Sequence, residues 1–363
     1  MSEKLTHEAM NKWADDPEGP VALSLTQTLV PAEGVSGVVY PPSYAPPRKG
    51  DRSTYNIDTL SDGTRVATLD SVGAQANRME PIFAMEPYSE LVPRVEIEYG
   101  TEGRKLSILD AGHRLGDAVV RCSTLGAEAR AAFEALQSER DATRLAKLAP
   151  TSLVFGAWDS RDTQAKTPRI VQSVIRASDV SELTRAAQYN PALDYTALAV
   201  FSAEDKEKAE GQTESPLAQR GFVHVPATGL LGGVLVRGSI ERQLTVNLIA
   251  LRRLEAPAKA AELRRYVLGL ALVAATAPFD GFLRQGCLLT PDPSEPAVWV
   301  LVARSGDRSP VALSGEAALG YARAAAAAFG VGEGRSAKFD PNLAKEDVKD
   351  KKAAKAAKKG AAS

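Results

Sequence analysis

Cations, hydroxyl groups and an amide are concentrated in residues 159–168, which have the sequence DSRDTQAKTP. This polar segment separates two apolar runs, 152–158 and 169–177, which both predict strands. In the second run the apolar side chains are paired and not strictly alternating, which predicts a strand buried over most of its length. The three parts together predict a hairpin whose loop contacts phosphate groups, since binding residues usually lie on loops held by a rigid scaffold.

The same segment allows a second interpretation. Asp159 and Asp162 lie beside Arg161, so the loop could instead be a solvated turn whose charges cancel. Arg169 and Arg176 favour the binding interpretation, because they extend the row of cations into and along the second predicted strand. The sequence leaves both interpretations open.

Residues for metal binding and catalysis are sparse. Three histidines and two cysteines are too few and too scattered for a metal cluster or a zinc site. Asp110 and His113 could form an acid–base pair, but an Asp and a His at the start of a helix more often serve in capping and packing. The glycines of 229–233 lack the spacing of a phosphate-binding loop, and no GxSxG or HExxH motif is present. The sequence predicts no catalytic set, no metal and no cofactor.

Length and composition limit the kinds of protein to which the chain can belong. The chain has 363 residues, of which 44% are hydrophobic and 25% charged, as in soluble globular proteins of one large domain or two smaller ones. The net charge of −1 gives no global field for nucleic acid, although local patches can still bind it. Two cysteines and a polar N-terminus predict a cytoplasmic protein without disulfides or a signal peptide. The longest apolar run, 266–279, is too short to span a membrane.

The apolar pattern predicts an α+β fold whose core runs strand, helix, strand, strand, helix, strand. These elements are expected at 21–30, 111–147, 152–158, 169–177, 257–276 and 297–303. The order is the ferredoxin-like one that RNA-recognition modules also use. In this arrangement the two apolar runs around the polar loop are the middle pair of strands.

Composition also places the domain boundaries. Residues 1–20 predict a polar N-terminal segment with one helix. The RNA-recognition-like domain is expected at 21–330, with insertions at about 31–110 and 178–256. Residues 331–363 predict a basic, disordered tail, because they end in a lysine- and alanine-rich stretch without apolar periodicity. The alternative for this stretch, which begins at Leu343, is a lone helix.

A turn-rich segment at 31–60 is a second candidate for contact with nucleic acid. It combines prolines with aromatic and cationic side chains, namely Tyr40, Tyr44, Tyr55, Arg48, Lys49 and Arg52. Aromatic rings interleaved with cations suit stacking and phosphate contact in single-stranded nucleic acid. The alternative, equally open, is a loop that packs on its own domain.

Four blocks together resemble one known family. They are 74–80 (AQANRME), 112–118 (GHRLGDA), 152–160 (SLVFGAWDS) and 283–287 (LRQGC). Their order and spacing are similar to those of the backbone subunit of type I-U CRISPR interference complexes, now called type I-G, which belongs to the RAMP superfamily. The resemblance extends from about Leu23 to Leu289 and leaves out the N-terminus and the tail.

The resemblance implies a specific function. Such subunits have an RNA-recognition-like core with helical and hairpin insertions, and several copies polymerise along one guide RNA (crRNA). A thumb-like hairpin of one copy folds over the RNA toward its neighbour, and the guide pairs with target DNA. The subunit is a non-enzymatic scaffold of the Cascade complex, and a recruited helicase-nuclease cleaves the target. The implied partners are guide RNA, a target DNA strand through the guide, copies of this chain and other Cascade subunits.

The expected RNA contacts are seven polar residues, Asn77, Arg78, Arg114, Arg161, Lys166, Arg169 and Arg176. Cations and amides suit this role, because a protein that holds a guide of variable sequence contacts the backbone and not the bases. The alternative for each arginine is a surface salt bridge. Trp158 ends a predicted buried strand, so we expect it in the core and not against a base.

Two other functions remain beside the scaffold. The chain could be an RNA-processing endoribonuclease of the same superfamily, with His113 or His224 as general base. It could also be a self-assembling structural protein that needs no ligand. For the part of the turn-rich segment from Tyr40 to Arg52, the resemblance adds two further roles, an alternative thumb or a contact between copies.

Overall fold

The computed structural model describes residues 5–34, 36–46, 48 and 52–349. The α-helices are His7–Asp15, Val72–Met79, Ala118–Arg121, Gly126–Ser138, Thr143–Leu148, Thr151–Phe155, Ala203–Ala209, Pro216–Gln219, Leu248–Arg252, Ala260–Thr276 and Gly315–Phe329. Short 3₁₀ helices are at Glu80–Ala84, Ser89–Leu91, Ile108–Asp110 and Arg114–Gly116. The strands are Ala22–Pro31, Val38–Val39, Ser43–Tyr44, Thr54–Tyr55, Ile57–Thr59, Arg65–Asp70, Val95–Tyr99, Arg104–Ser107, Val171–Ser178, Val180–Tyr189, Val225–Val236, Ile240–Asn247, Phe282–Arg284, Cys287–Pro291, Trp299–Val302, Arg308–Val311 and Arg335–Lys338.

The central sheet has the strand order of a ferredoxin-like core. Ala22–Pro31 pairs antiparallel with Ile240–Asn247, which in turn pairs antiparallel with Val171–Ser178. On its other edge, Ala22–Pro31 pairs with Cys287–Pro291 and Trp299–Val302. Helices precede Val171–Ser178 and follow Ile240–Asn247, so the core runs βαββαβ. The predicted α+β class is confirmed.

One central strand differs from the prediction. Residues 152–158 are not a strand, because Thr151–Phe155 is a fully buried helix with Pro150 before it and Gly156 after it. A short apolar run does not distinguish a buried helix from a buried strand. The missing strand is Ile240–Asn247, which lies within the insertion predicted at 178–256. The insertion therefore ends before Ile240. The polar loop does not connect the two middle strands of the sheet, contrary to the prediction.

The strand Val171–Ser178 is buried on one face only. Its odd-numbered residues are buried, while Gln172 and Arg176 are exposed on the other face. The expectation of a strand buried over most of its length is wrong, because Ile170 precedes the strand and Val174 is only half-buried. The same open face continues across the neighbouring strands, where it carries the polar residues Ser24, Thr26, Gln243 and Thr245.

The helix Ala260–Thr276 is the centre of the main core. It packs against the helix Gly315–Phe329 and contacts the central sheet. The two helices approach closely at Gly269, where an added Cβ would lie 2.7 Å from the Cα of Ala322. The N-terminal helix His7–Asp15 buries one face on the same core. The N-terminal segment is therefore amphipathic and part of the folded domain.

The C-terminal segment is ordered further than the sequence predicts. Arg335–Lys338 forms a strand parallel to Val95–Tyr99, with Ala337 buried. The backbone is then helical from 341 to 349. The prediction of a disordered tail is therefore wrong for Arg335–Lys338, because pairing with a distant edge strand leaves no periodic pattern in such a short segment. The helical backbone up to residue 349 agrees with the alternative of a helix. The rest of the predicted tail lies outside the described residues.

The insertion that follows Val171–Ser178 is a long two-stranded ribbon. Val180–Tyr189 pairs antiparallel with Val225–Val236. Between these strands lie the helices Ala203–Ala209 and Pro216–Gln219, which share a small apolar cluster of their own. The ribbon is the largest hairpin in the described part of the chain.

The turn-rich segment packs against this ribbon. The hydroxyl of Tyr55 accepts a hydrogen bond from the backbone N–H of Gly233 at 2.9 Å. Arg52 donates to the backbone carbonyl of Gly229 at 3.3 Å. These contacts favour the interpretation of a loop that packs on its own domain, while Lys49 lies outside the described residues.

Among the described residues, no helix is long and apolar enough to cross a membrane.

Candidate nucleic-acid interface

A cleft of about 440 Å³ lies where the blocks 112–118 and 152–160 meet. The described lining residues include cationic, aromatic and imidazole side chains, namely His113, Arg114, Trp158, Lys166 and Arg169. None of the described lining residues carries a carboxylate. A cleft with cations, an aromatic ring and no anion suits a phosphate chain with unstacked bases.

A short hairpin positions the polar side of the cleft. Trp158 and Lys166 form an antiparallel bridge, with backbone hydrogen bonds on either side of it. The buried carboxylate of Asp159 accepts hydrogen bonds from the backbone N–H and the hydroxyl of Thr163, at 2.9 and 2.8 Å. Asp159 therefore stabilises the loop from inside and does not neutralise Arg161 at the surface. The predicted polar hairpin exists, but it is shorter than expected and lies outside the sheet.

Trp158 is at the surface, not in the core. Its side chain is 54% exposed, and the Nζ of Lys166 lies 5.5 Å from the centroid of its ring. The expectation of a core tryptophan is wrong, because the buried helix ends at Phe155 and the chain turns outward at Gly156. An exposed ring beside a cation is a stacking platform for a base.

Arg169 lies at the rim of the cleft without a carboxylate partner among the described residues. Its Nε donates to the backbone carbonyl of Phe155 at 3.1 Å, which fixes the side chain. Partial burial lowers the pKa of Arg169, and the charge of Arg114 adds to this effect. A bound anion would stabilise the charged form of this guanidinium.

Replacing Gly156 by alanine is expected to disturb the cleft and to lower the free energy of unfolding by about 1–3 kcal/mol. Gly156 has φ +79°, and an added Cβ would lie 2.8 Å from the Cγ of Arg169 and 3.2 Å from the carbonyl of Thr167. Urea unfolding measures the loss. The matched control is Gly112→Ala in the same cleft, where a Cβ would meet nothing within 4 Å. Equal losses in the two variants would contradict this account.

Arg114 lies beneath the cleft and is buried. Its Nε donates to Oε2 of Glu80 at 2.6 Å, and its Nη1 donates to the carbonyl of Gly156 at 3.1 Å. Its guanidinium also lies over the ring of Phe155, 5.4 Å from the centroid. Burial raises the pKa of Glu80 to about 7, while the charge of Arg114 opposes the rise. The prediction that Arg114 contacts RNA directly is disfavoured by this burial, and the ion pair instead supports the floor of the cleft.

Arg78 belongs to a second cluster, which joins the blocks 74–80 and 283–287. The buried carboxylate of Asp70 accepts from Nε of Arg78 at 3.0 Å and from Nη2 of Arg284 at 3.1 Å. Arg78 also donates to the backbone carbonyls of Phe282 and Leu283. This cluster connects a helix to the edge of the sheet. All three guanidinium nitrogens of Arg78 donate hydrogen bonds within it.

The other predicted contacts are exposed but lie apart from one another. Asn77 is exposed near the end of its helix, and Arg161 is exposed in the polar loop. Arg176 lies on the open face of the sheet, in register with Glu241 of the next strand. Lys166 and Arg169 are thus the predicted residues that the structure brings together at the surface of the cleft.

Two residues of the site, Glu80 and Gly156, were not among the residues predicted from the sequence. The partner of Arg114 is Glu80, which is 34 residues away and carries no local signal of pairing. Gly156 does have a signal, since a glycine directly after a short apolar run often ends a helix. Within the described residues, no group of three or more His, Cys, Asp or Glu side chains could hold a metal ion.

Residues 23–182 match the model of a family described as CRISPR-associated protein GSU0053. The match contains three of the four sequence blocks and the cleft, and over this range it confirms the predicted resemblance. The chain is also similar to a solved structure described as "CRISPR RNA-guided surveillance complex, pre-nicking", with 13% identity and a TM-score of 0.35 over 90% of this chain and 98% of that chain. That likeness is too weak to support a conclusion about function. No curated protein matches the sequence.

Proposed function

We propose that the chain is a guide-RNA-binding backbone subunit of a type I CRISPR interference complex, because residues 23–182 match the model of a family described as CRISPR-associated protein GSU0053. Copies of the chain polymerise along one guide RNA and hold it so that it pairs with a target DNA strand. The other partners are the remaining subunits of the complex and the helicase-nuclease that it recruits. The chain itself is a scaffold and not an enzyme.

The observation that carries the proposal is the cleft at Trp158, Lys166 and Arg169. Its cations can contact phosphates of any sequence, which a protein that holds many different guides requires. Trp158 can stack on any base, because every base has an aromatic face. The cleft can therefore bind a guide RNA of any base sequence.

The charge distribution agrees with a polymerising subunit. The net charge of −1 leaves little repulsion between copies, while the cleft concentrates positive charge where RNA lies. Contacts between successive copies along an RNA are head-to-tail, and such contacts form open helical assemblies when they do not close into rings.

The endoribonuclease alternative has one observation in its favour, since His113 is exposed in the same cleft. A general base needs a second group that orients it. The imidazole of His113 has no hydrogen-bond partner among the described residues. His224 lies in the insertion ribbon and does not line the cleft. We therefore favour the scaffold.

Expression with a CRISPR array is expected to give defined multimers that each carry one RNA, whereas expression without the array gives RNA-free protein. Native mass spectrometry measures both the stoichiometry and the RNA. In the same assay, Trp158→Ala is expected to retain less RNA, because loss of one stacked base costs about 1–3 kcal/mol. The variant removes a surface side chain, so the fold should be unchanged.

Phe282→Ala is the matched control, since Phe282 is also 54% exposed but does not line the cleft. It should retain RNA as the unmodified protein does. An RNA-free monomer both with and without the array would overturn the proposed function. Equal retention by the two variants would instead remove Trp158 from the interface.

A further inference from the structure

The ion pair of Glu80 and Arg114 connects the inside of the protein with the cleft. The side chain of Glu80 is 1% exposed and that of Arg114 is 5% exposed, so both charges are shielded from water. Nε of Arg114 donates to Oε2 of Glu80, whereas Nη1 donates to the carbonyl of Gly156 at the cleft. One cation therefore interacts with a buried carboxylate on one side and with any anion in the cleft on the other.

Arg114 has two features that the ion pair alone does not explain. Its Nη2 is buried and has no hydrogen-bond partner among the described residues. Its backbone has φ +53°, in the left-handed region that residues other than glycine rarely adopt. An unpaired buried donor and a strained backbone both cost stability, and such strained residues cluster at functional sites. The position of this guanidinium therefore serves the cleft as well as the ion pair.

The charge of Glu80 depends on its burial and on its neighbours. Burial is the largest effect and raises the pKa of Glu80 to about 7, and the negative charge of Asp110 acts in the same direction. Arg114 and the hydroxyl of Thr151 oppose this rise, because they stabilise the carboxylate. On the cleft side lies Arg169, whose pKa is lowered by partial burial and by the charge of Arg114. Glu80 thus exchanges its proton at neutral pH, next to a cation that also acts on the cleft.

A phosphate in the cleft would place a negative charge on the other side of Arg114. It would compete with the carboxylate of Glu80 for the same guanidinium and so favour the protonated carboxyl. Coupling between two sites is reciprocal, so protonation of Glu80 must equally favour phosphate binding. We propose that the chain takes up a proton at Glu80 when RNA binds in the cleft, so that RNA binds more tightly as the pH falls through neutrality. This inference rests on the proposed function, because it requires that the cleft hold the phosphates of RNA.

The size of the effect follows from the distance between the charges. A phosphate about 10 Å from Glu80, acting through an effective dielectric constant of about 20, changes the protonation equilibrium on the order of tenfold. The affinity for RNA at pH 6 should therefore be about fivefold to tenfold higher than at pH 8.5. At pH 8.5 the ionised carboxylate offsets the charge of Arg114, whereas at pH 6 that charge acts on the phosphate alone.

The test is fluorescence anisotropy of dye-labelled oligouridylate with the full-length chain at pH 6 and pH 8.5, at constant salt. Uracil and the phosphodiester groups keep their charge in this range, so the titrating group belongs to the protein. His113 also lines the cleft, and an imidazole can change its charge in the same range. The measurement is therefore repeated with His113→Gln, which can change the affinity at every pH but should keep the ratio of the two affinities.

Glu80→Gln removes the titrating group and is expected to bind RNA with nearly the same affinity at both pH values. Glu90→Gln is the matched control, since Glu90 is exposed in a neighbouring 3₁₀ helix and pairs with Arg323 away from the cleft residues. It should keep the pH dependence of the unmodified chain.

Calorimetry gives a second readout that needs no variant. Binding of oligouridylate at pH 7 in two buffers of different ionisation enthalpy should show net uptake of a fraction of a proton per occupied cleft. Equal affinity at the two pH values, or a pH dependence that Glu80→Gln retains or His113→Gln abolishes, would overturn the inference and leave the proposed function standing. Failure to bind RNA at either pH would overturn both.

Discussion

Reversing the charges of Lys166 and Arg169 together (K166E/R169E) is expected to release most of the bound RNA. If each side chain contacts one phosphate, the slope of log K against log salt falls in magnitude by about 1.4, since each contact on a single strand contributes about 0.7. The affinity at low salt should fall on the order of 100-fold. Both side chains are exposed and neither forms an ion pair in the described part of the chain, so the fold has little reason to change.

Fluorescence anisotropy with a labelled guide, measured over a series of KCl concentrations, gives both quantities. Arg104→Glu is the matched control, because Arg104 is an exposed cation in the hairpin of Val95–Tyr99 and Arg104–Ser107, away from the cleft residues. Its reversal should change the affinity little. Arg161→Glu tests whether the polar loop extends the interface beyond the cleft. If K166E/R169E keeps the slope and affinity of the control, the cleft is not the RNA interface.

The position of this cleft was only partly predictable from the sequence. The polar loop and its cations are local features, and the structure does bring Lys166 and Arg169 together. The error concerns the scaffold beneath them, because the apolar run before the loop forms a helix and not a strand. In a run of five buried residues, helical and extended periods give the same apolar pattern. Trp158 was assigned to the core for the same reason.

The overall architecture was more predictable than the site. The helix Ala260–Thr276 and the strands Ala22–Pro31 and Val171–Ser178 follow from apolar runs with clear ends. The third core strand, Ile240–Asn247, is separated from its partner Val171–Ser178 by the whole insertion ribbon. Pairing over such a distance depends on the tertiary fold, and local pattern does not specify it.

Contacts between the sequence blocks were beyond prediction, although the blocks themselves were identified. Asp70 joins one pair of blocks through Arg78 and Arg284, and the ion pair of Glu80 and Arg114 joins another region to the floor of the cleft. Arg78 and Arg114 each had two open interpretations, a phosphate contact or a salt bridge. Burial decides between them, and burial is a property of the complete fold.

Replacing Arg114 by methionine is expected to lower the free energy of unfolding at pH 8 by about 3–5 kcal/mol, because the buried carboxyl of Glu80 must then either carry an unpaired charge or take up a proton at a pH at which the unfolded chain is ionised. The loss should be smaller at pH 5. The pKa of Glu80 is raised from 4.5 to about 7 in the folded protein, so between these values the folded state binds more protons than the unfolded state. The stability that protonated Glu80 contributes is therefore fully present below pH 4.5 and is lost as the pH rises through 7. Without Arg114 the pKa of Glu80 in the folded protein rises further. At pH 5 this carboxyl is therefore neutral, and the variant loses less stability than at pH 8.

Urea unfolding at a series of pH values tests this account. Glu80→Gln should flatten the pH dependence between 4.5 and 7, since the titrating group is gone. The double variant with Glu80→Gln and Arg114→Met should be less destabilised at pH 8 than Arg114→Met alone, because no buried charge remains. Arg104→Met is the control for a surface pair, where Arg104 and Glu102 are 66% and 70% exposed, and should cost less than about 1 kcal/mol. An equal loss for Arg114→Met at pH 5 and pH 8 would show that packing, and not the charge of Glu80, makes Arg114 necessary.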